Sequence, residues 1–220
     1  MRFSYAIFDM DGVLFDTETL FIRSFVDYVS QEIGYPFTRE KMMQLIGINH
    51  QLTLETFPKV FPDCPADCET CYALCNVWMK QYFKTNGVPL KPGVQELLAW
   101  LKEQGILCAV ATSSDSSVAA GYLQSTGIRP YFSAVIGGDQ VTHSKPDPEI
   151  FLTAMRALGG ENPAQCVVFE DSRNGLLAGS NGKFSVIAVP DVMDPTETLP
   201  GLCYAKCKSL TDAIEVLKNS

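Results

Sequence analysis

The chain is short of several things that would assign it to a class at once. It has no run of about 18 apolar residues, so no membrane-spanning helix is expected. Positive charge is scarce: 17 lysines and arginines face 25 acids, for a formal charge of −8. That balance argues against nucleic acid or an anionic membrane as the main partner. The opening residues MRFSYAIFDMDG place acids where a signal peptide needs its apolar stretch. The expected location is therefore cytoplasmic. No internal repeat and no low-complexity tract interrupts the 220 residues. That length suits one domain, or one domain carrying an insertion.

Cysteine is not scarce. There are eight, four of them in CPADCETCYALC as Cys64, Cys68, Cys71 and Cys75. Without an export signal an even count is weak grounds for disulfides. The spacings of four, three and four read as a helix stripe. Eleven residues of helix rise roughly 16 Å. Four thiolates spread along it cannot all reach one zinc ion at about 2.3 Å. The stripe reads as small apolar side chains packing a helix.

Hydrophobic periodicity organises the rest. Tyr5 to Phe8 reads as a strand. Leu20, Phe21, Phe25, Val29 and Ile33 then recur on a helical period, ended by Gly34 and Pro36. Residues 38–85 continue helical, with Pro58, Pro62 and Pro65 expected to break them into short pieces. After NGVPLKPG the pattern alternates: helix VQELLAWLKEQG, strand ILCAVA, helix SVAAGYLQSTG, strand FSAVI, helix PEIFLTAMRALG, strand CVVF, helix NGLLAGSNG, strand VIAV, helix LTDAIEVLKN. Such alternation implies a parallel sheet covered on both faces. The expected architecture is α/β: a Rossmann-like parallel sheet core, residues 1–15 and 89–220. A small all-helical domain, residues 16–88, is inserted after the first strand.

In open parallel sheets the ligand site lies beyond the carboxyl ends of the strands. The first strand delivers Asp9-Met10-Asp11-Gly12, and the second delivers Thr112-Ser113-Ser114. A loop after the third carries Ser144-Lys145-Pro146, and the fourth ends in Glu170-Asp171-Ser172. Facing acids repel unless a cation sits among them, and oxygen donors suit Mg²⁺. Lysine and hydroxyls hold anionic oxygens. The combination describes phosphoryl transfer, in which an aspartate can be the nucleophile. Asp16 with Thr17 reads as a cap of the first inserted helix or a brace of the hinge, and Ser114 and Ser116 read as helix caps. Asn174 is equally a polar helix start or an orienting group.

The series D-x-D-G-x-x-x-D-T, the hydroxyl after the second strand, K-P, and F-E-D-S-x-x-G resembles the four motifs of the haloacid dehalogenase superfamily. The helical-cap branch of phosphatases and phosphomutases is the most similar, and the resemblance covers nearly the whole chain. It implies that Asp9 attacks phosphorus and that Asp11 gives and takes the proton. It implies that Thr112 and the Ser113 N–H hold the phosphoryl group, which Lys145 neutralises. It further implies Mg²⁺ held by Asp9, Asp11 and Asp171 with support from Glu170, and a cap that closes over the site. LIGINHQLTLE matches the cap specificity loop, where His50 is a candidate substrate contact. Phe21 and Asp115 stand where β-phosphoglucomutase has a histidine and a lysine.

These departures favour a monophosphate hydrolase of small phosphorylated metabolites over a phosphomutase. A dehalogenase would need neither Asp11 nor a metal. A non-catalytic metal-binding or regulatory protein built on the cysteine stripe is the reading from another class. The expected partner is a small phosphorylated metabolite, with the chain a monomer or weak dimer.

Overall fold

A computed structural model describes residues 2–48 and 50–220, the side chain of His50 excepted. The chain divides into two compact units, one of Met1–Phe15 with Leu90–Ser220 and one of Asp16–Pro89.

The first unit is built on a six-stranded parallel sheet. Its elements in chain order are β1 (Tyr5–Phe8) and, in the second unit, α1 (Thr17–Arg23), α2 (Ser30–Ile33), α3 (Arg39–Met42), α4 (His50–Val60) and α5 (Cys68–Asn86). The first unit resumes with α6 (Val94–Glu103), β2 (Leu107–Ala111), α7 (Ser116–Ser125), β3 (Phe132–Ile136) and α8 (Glu149–Ala157). It ends with β4 (Cys166–Glu170), α9 (Arg173–Asn181), β5 (Ser185–Ala188), β6 (Ala205–Lys206) and α10 (Leu210–Lys218). The strand order is β3-β2-β1-β4-β5-β6. β1 lies in the middle, paired with β2 from Tyr5↔Leu107 to Phe8↔Val110 and with β4 from Tyr5↔Cys166 to Phe8↔Phe169.

The central strands read as unbroken apolar runs because both faces are covered. Ile7, Ala109, Val168 and Val186 pack with Phe151, Ala154, Met155 and Leu176 from α8 and α9. Phe8 stacks on Phe169, ring centroids 4.5 Å apart. Beyond β1 the chain turns sharply: Gly12, at φ +82°, donates its N–H to Phe15 O, and Leu14 N–H returns to Met10 O. Positive φ at that turn suits glycine alone without strain.

The second unit is helical. The helix that begins with α1 runs on without interruption to Ile33, but its middle turn, Ser24–Val29, is a π-turn between α1 and α2. An aromatic cluster fills this unit. Phe25 is fully buried, its ring centroid 5.0 Å from Phe21, 5.2 Å from Phe37 and 5.6 Å from Tyr72. Cys68, Cys71 and Cys75 are buried along α5, while Cys64 precedes it. Burial raises their thiols to about 11, 12 and 11, so they pack as neutral groups. Among the described residues, no three cysteines gather within reach of one ion.

Three local expectations are corrected. Pro58 lies inside α4 rather than ending it: the helix runs on to Val60 although the proline removes one backbone donor. Asp16 sits at the N-cap position of α1 but makes no side-chain cap bond, its backbone falling outside the extended conformation that aims a cap. β6 is a sixth strand that the sequence pattern does not reveal, two residues being too short to show a period.

Because Phe25 fills the centre of the aromatic cluster, Phe25→Ala should lower the unfolding free energy by about 3–5 kcal/mol. Chemical denaturation checks this.

Candidate active site

The strand order reverses at β1: the chain steps outward to β2 and β3 on one side and to β4, β5 and β6 on the other. A crevice at the carboxyl ends of β1, β2 and β4 is what this topology provides. The ladder continues past the strand ends, Asp9 N–H donating to Phe169 O at 3.0 Å and Thr112 N–H to Ile136 O at 3.0 Å. Asp9 and Thr112 are thereby fixed at the rim, both buried.

Lys145 reaches into this rim from the loop between β3 and α8. Its ammonium donates to Asp9 Oδ1 at 2.5 Å, to Glu170 Oε1 at 2.6 Å and to Ala111 O at 3.3 Å. Its Nζ also lies 4.9 Å from the centre of the Phe151 ring. All three charged groups are buried. Burial alone would lower the Lys145 pKa, but the Asp9 and Glu170 carboxylates overcome it and hold the ammonium charged. Burial pushes the Asp9 carboxyl up to about 7, against the pull of Lys145 and with the push of Glu170. A divalent cation beside Asp9 would favour its ionised form.

Glu170 is fully engaged by the protein. Oε1 accepts from Lys145, and Oε2 accepts from Asp171 N–H, Ser172 N–H and Ser172 Oγ, at 3.0–3.1 Å. Ser172 Oγ in turn caps α9 by accepting from Gly175 N–H. A Cβ on Gly175 would overlap the Glu170 carboxylate, so this close approach requires glycine. Glu170 thus braces the site from beneath.

Asp171 turns the other way. A Cβ placed on Gly12 would overlap its carboxylate, so Asp171 lies against the turn that follows β1. Asp9 and Asp171 therefore occupy the same edge on neighbouring strands. Asp11 Oδ2 accepts from Ser114 Oγ at 2.8 Å, and Thr112 Oγ1 accepts from Ser114 N–H at 3.1 Å.

Ser114 and Ser116 do not cap α7. Asp115 holds its N-cap position, and Ser116 instead bonds Asp139 through N–H and Oγ, both at 2.7 Å. The loop between β2 and α7 is thereby tied to both neighbouring strands' ends. Ser113 follows Thr112 in that loop, Asn174 is the second residue of α9, and the His50 side chain lies outside the described residues.

The structure also brings in residues that the motifs omit. The Asp191 carboxylate, after β5, bonds the Lys91 ammonium, and one of its oxygens lies within 4.8 Å of one of Asp171's. Hard oxygen donors from several strand ends, with carboxylates outnumbering ammoniums, suit a divalent cation.

A family model described as haloacid dehalogenase-like hydrolase matches residues 6–189. The chain belongs to this family. A Thermotoga maritima protein named phosphorylated carbohydrates phosphatase is 33% identical over 175 residues, 80% of this chain and 79% of that protein. Hexitol phosphatase B of Escherichia coli strain K12 is 30% identical over 209 residues, 94% and 92% of the two chains. A crystal structure of a candidate β-phosphoglucomutase from Thermotoga maritima superposes with a TM-score of 0.79. It is 29% identical, with 98% of this chain and 99% of that one covered. The haloacid dehalogenase-like fold accounts for the parallel sheet flanked by helices.

Removing one member of a buried ion pair strands the other, so Glu170→Ala should lower the unfolding free energy by about 3–5 kcal/mol. Urea denaturation compares it with the wild type.

Proposed function

We propose that this hydrolase is a Mg²⁺-dependent phosphatase of small phosphorylated sugars or sugar alcohols, working through an aspartyl-phosphate on Asp9. The observation that carries the reading is the buried Lys145 bridging Asp9 and Glu170, with Asp171 and Thr112 on the same edge. The relatives' names, phosphorylated carbohydrates phosphatase and hexitol phosphatase B, support the substrate class. Among the described residues no helix is long and apolar enough to cross a membrane.

Asp9 and Asp171 would hold the cation with Asp11, whose family role is to offer its backbone carbonyl. When bound, the cation supplies charge neutralisation for the phosphoryl oxygens. Lys145 and Thr112 face the same oxygens, and the Ser113 N–H follows in the loop. An Asp9 carboxylate oxygen attacks phosphorus, and the bond from phosphorus to the leaving oxygen breaks. The Asp11 carboxyl gives that oxygen its proton, releasing the alcohol. The Asp11 carboxylate then takes a proton from water, whose oxygen attacks phosphorus. The bond to Asp9 breaks, inorganic phosphate leaves, and both side chains return to their starting forms. Ser114 Oγ, 2.8 Å from Asp11 Oδ2, steers the proton carrier.

The β-phosphoglucomutase-type structural neighbour favours a second reading, a phosphomutase of the β-phosphoglucomutase kind. Phe21 argues against it. Its ring lies 5.2 Å from Tyr72 and belongs to the aromatic cluster of the second unit, where it offers no charge to a second phosphate.

A panel of hexose and hexitol monophosphates with Mg²⁺ tests the proposal by release of inorganic phosphate. Turnover should fall to background in Asp9→Asn and by about 10²–10⁴-fold in Asp11→Asn. Isomer formation from a hexose monophosphate primed with bisphosphate, without free phosphate, would establish the mutase reading instead. An Asp9→Asn protein with wild-type turnover would overturn the nucleophile.

A further inference from the structure

We propose that Asp191 is a positioning residue of the cation site, adding its charge beside Asp171 so as to set the affinity for the divalent ion. The inference rests on the reading that Asp9 and Asp171 hold such an ion.

The placement comes from the sheet. Val189 N–H donates to Glu170 O at 2.8 Å, so the extension of β5 runs beside the end of β4. Two residues later Asp191 arrives at the edge that carries Asp171. Its side chain is 6% exposed. Oδ1 is bonded by the Lys91 ammonium. Oδ2 points elsewhere, 3.3 Å from where a Cβ on Gly12 would stand, against the same turn that Asp171 touches. The two carboxylates approach within 4.8 Å of each other, oxygen to oxygen.

Lys91 is itself fixed. Its N–H donates to Leu14 O at 2.9 Å, and the neighbouring Leu90 bridges to Phe15. The chain leaving β1 and the chain leaving β5 are thus held together by one ion pair beside the nucleophile's turn.

Two carboxylates held within 4.8 Å of each other, oxygen to oxygen, repel. The arrangement makes sense if a cation completes it. Asp191 then acts through its charge rather than through a hydrogen bond to a ligand, and changes in the outer shell of a metal site typically weaken metal affinity by about 10–100-fold. Lys91 has the opposite sign of effect, because its ammonium competes with the cation for the Asp191 charge.

The test is Mg²⁺ titration of the metal-free full-length protein by isothermal calorimetry, with circular dichroism melting to establish folding. Asp191→Asn should raise the Mg²⁺ dissociation constant by about 10–100-fold. Its kcat on the best phosphate ester should recover at saturating Mg²⁺, placing the defect in cation affinity. Asp191→Ser serves if the asparagine variant does not fold. Lys91→Met removes the same ion pair and should bind Mg²⁺ at least as tightly as the wild type. Wild-type affinity in the Asp191 variants overturns the assignment. So does an equal loss in Lys91→Met, which would mean that the pair acts only as a brace. A wild-type protein that takes up no Mg²⁺ overturns the cation reading itself and the assignment with it.

Discussion

One buried ammonium makes this edge of the sheet possible. Asp9 and Glu170 end adjacent parallel strands, in register, with apolar residues behind them. Two carboxylates so placed cannot both ionise in a dry site without a counter-charge. Lys145 supplies it from a third segment and also bonds the end of β2 through Ala111 O. The ends of β1, β2 and β4 are therefore joined by a single side chain. Any route that satisfied these acids with water would loosen the rim and blunt the electrostatic effect of the charges, which act most strongly where water is excluded.

The same constraint explains sequence features that look unrelated. Glu170 can serve as the lower brace only if its second oxygen is saturated, and the start of α9 does this with two N–H groups and the Ser172 hydroxyl. The helix must then pass close over the carboxylate, which is why its third residue is Gly175. Gly12 does the corresponding work above, leaving room for Asp171 at a positive-φ turn. Two glycines thus set the depths at which two consecutive acids lie, one packed beneath α9 and one set against the turn after β1.

Much of this is written in the sequence, because alternating buried strands and amphipathic helices leave strong periods. The order of motifs then assigns an edge of the sheet to each acid. The features that escape do so for a physical reason in each case. The π-turn of Ser24–Val29 keeps the helical period closely enough to hide. β6 has two residues and shows no alternation. Ser114 has the sequence signature of a cap, yet its hydroxyl turns to Asp11, a partner 103 positions away that no local pattern reveals. Asp191 comes after β5 just as Asp171 comes after β4, so inspecting the residues beyond every strand end finds it. Its ion pair with Lys91, 100 positions distant, belongs to tertiary structure alone.

The proposed division of labour between Asp9 and Asp11 rests on the kind of partner each has. Asp9 faces an ammonium, which has only protons to donate and therefore favours the carboxylate form that attacks phosphorus. Asp11 faces the hydroxyl of Ser114, which both donates and accepts. A hydroxyl keeps its hydrogen bond whether the carboxyl is ionised or protonated, simply by turning its hydrogen. Asp11 can thus carry a proton through one half of the reaction and surrender it in the other without losing its anchor. Exchanging the two partners would give the nucleophile a neutral neighbour and the proton carrier a cationic one: different surroundings, not different side chains, set the two proposed roles apart.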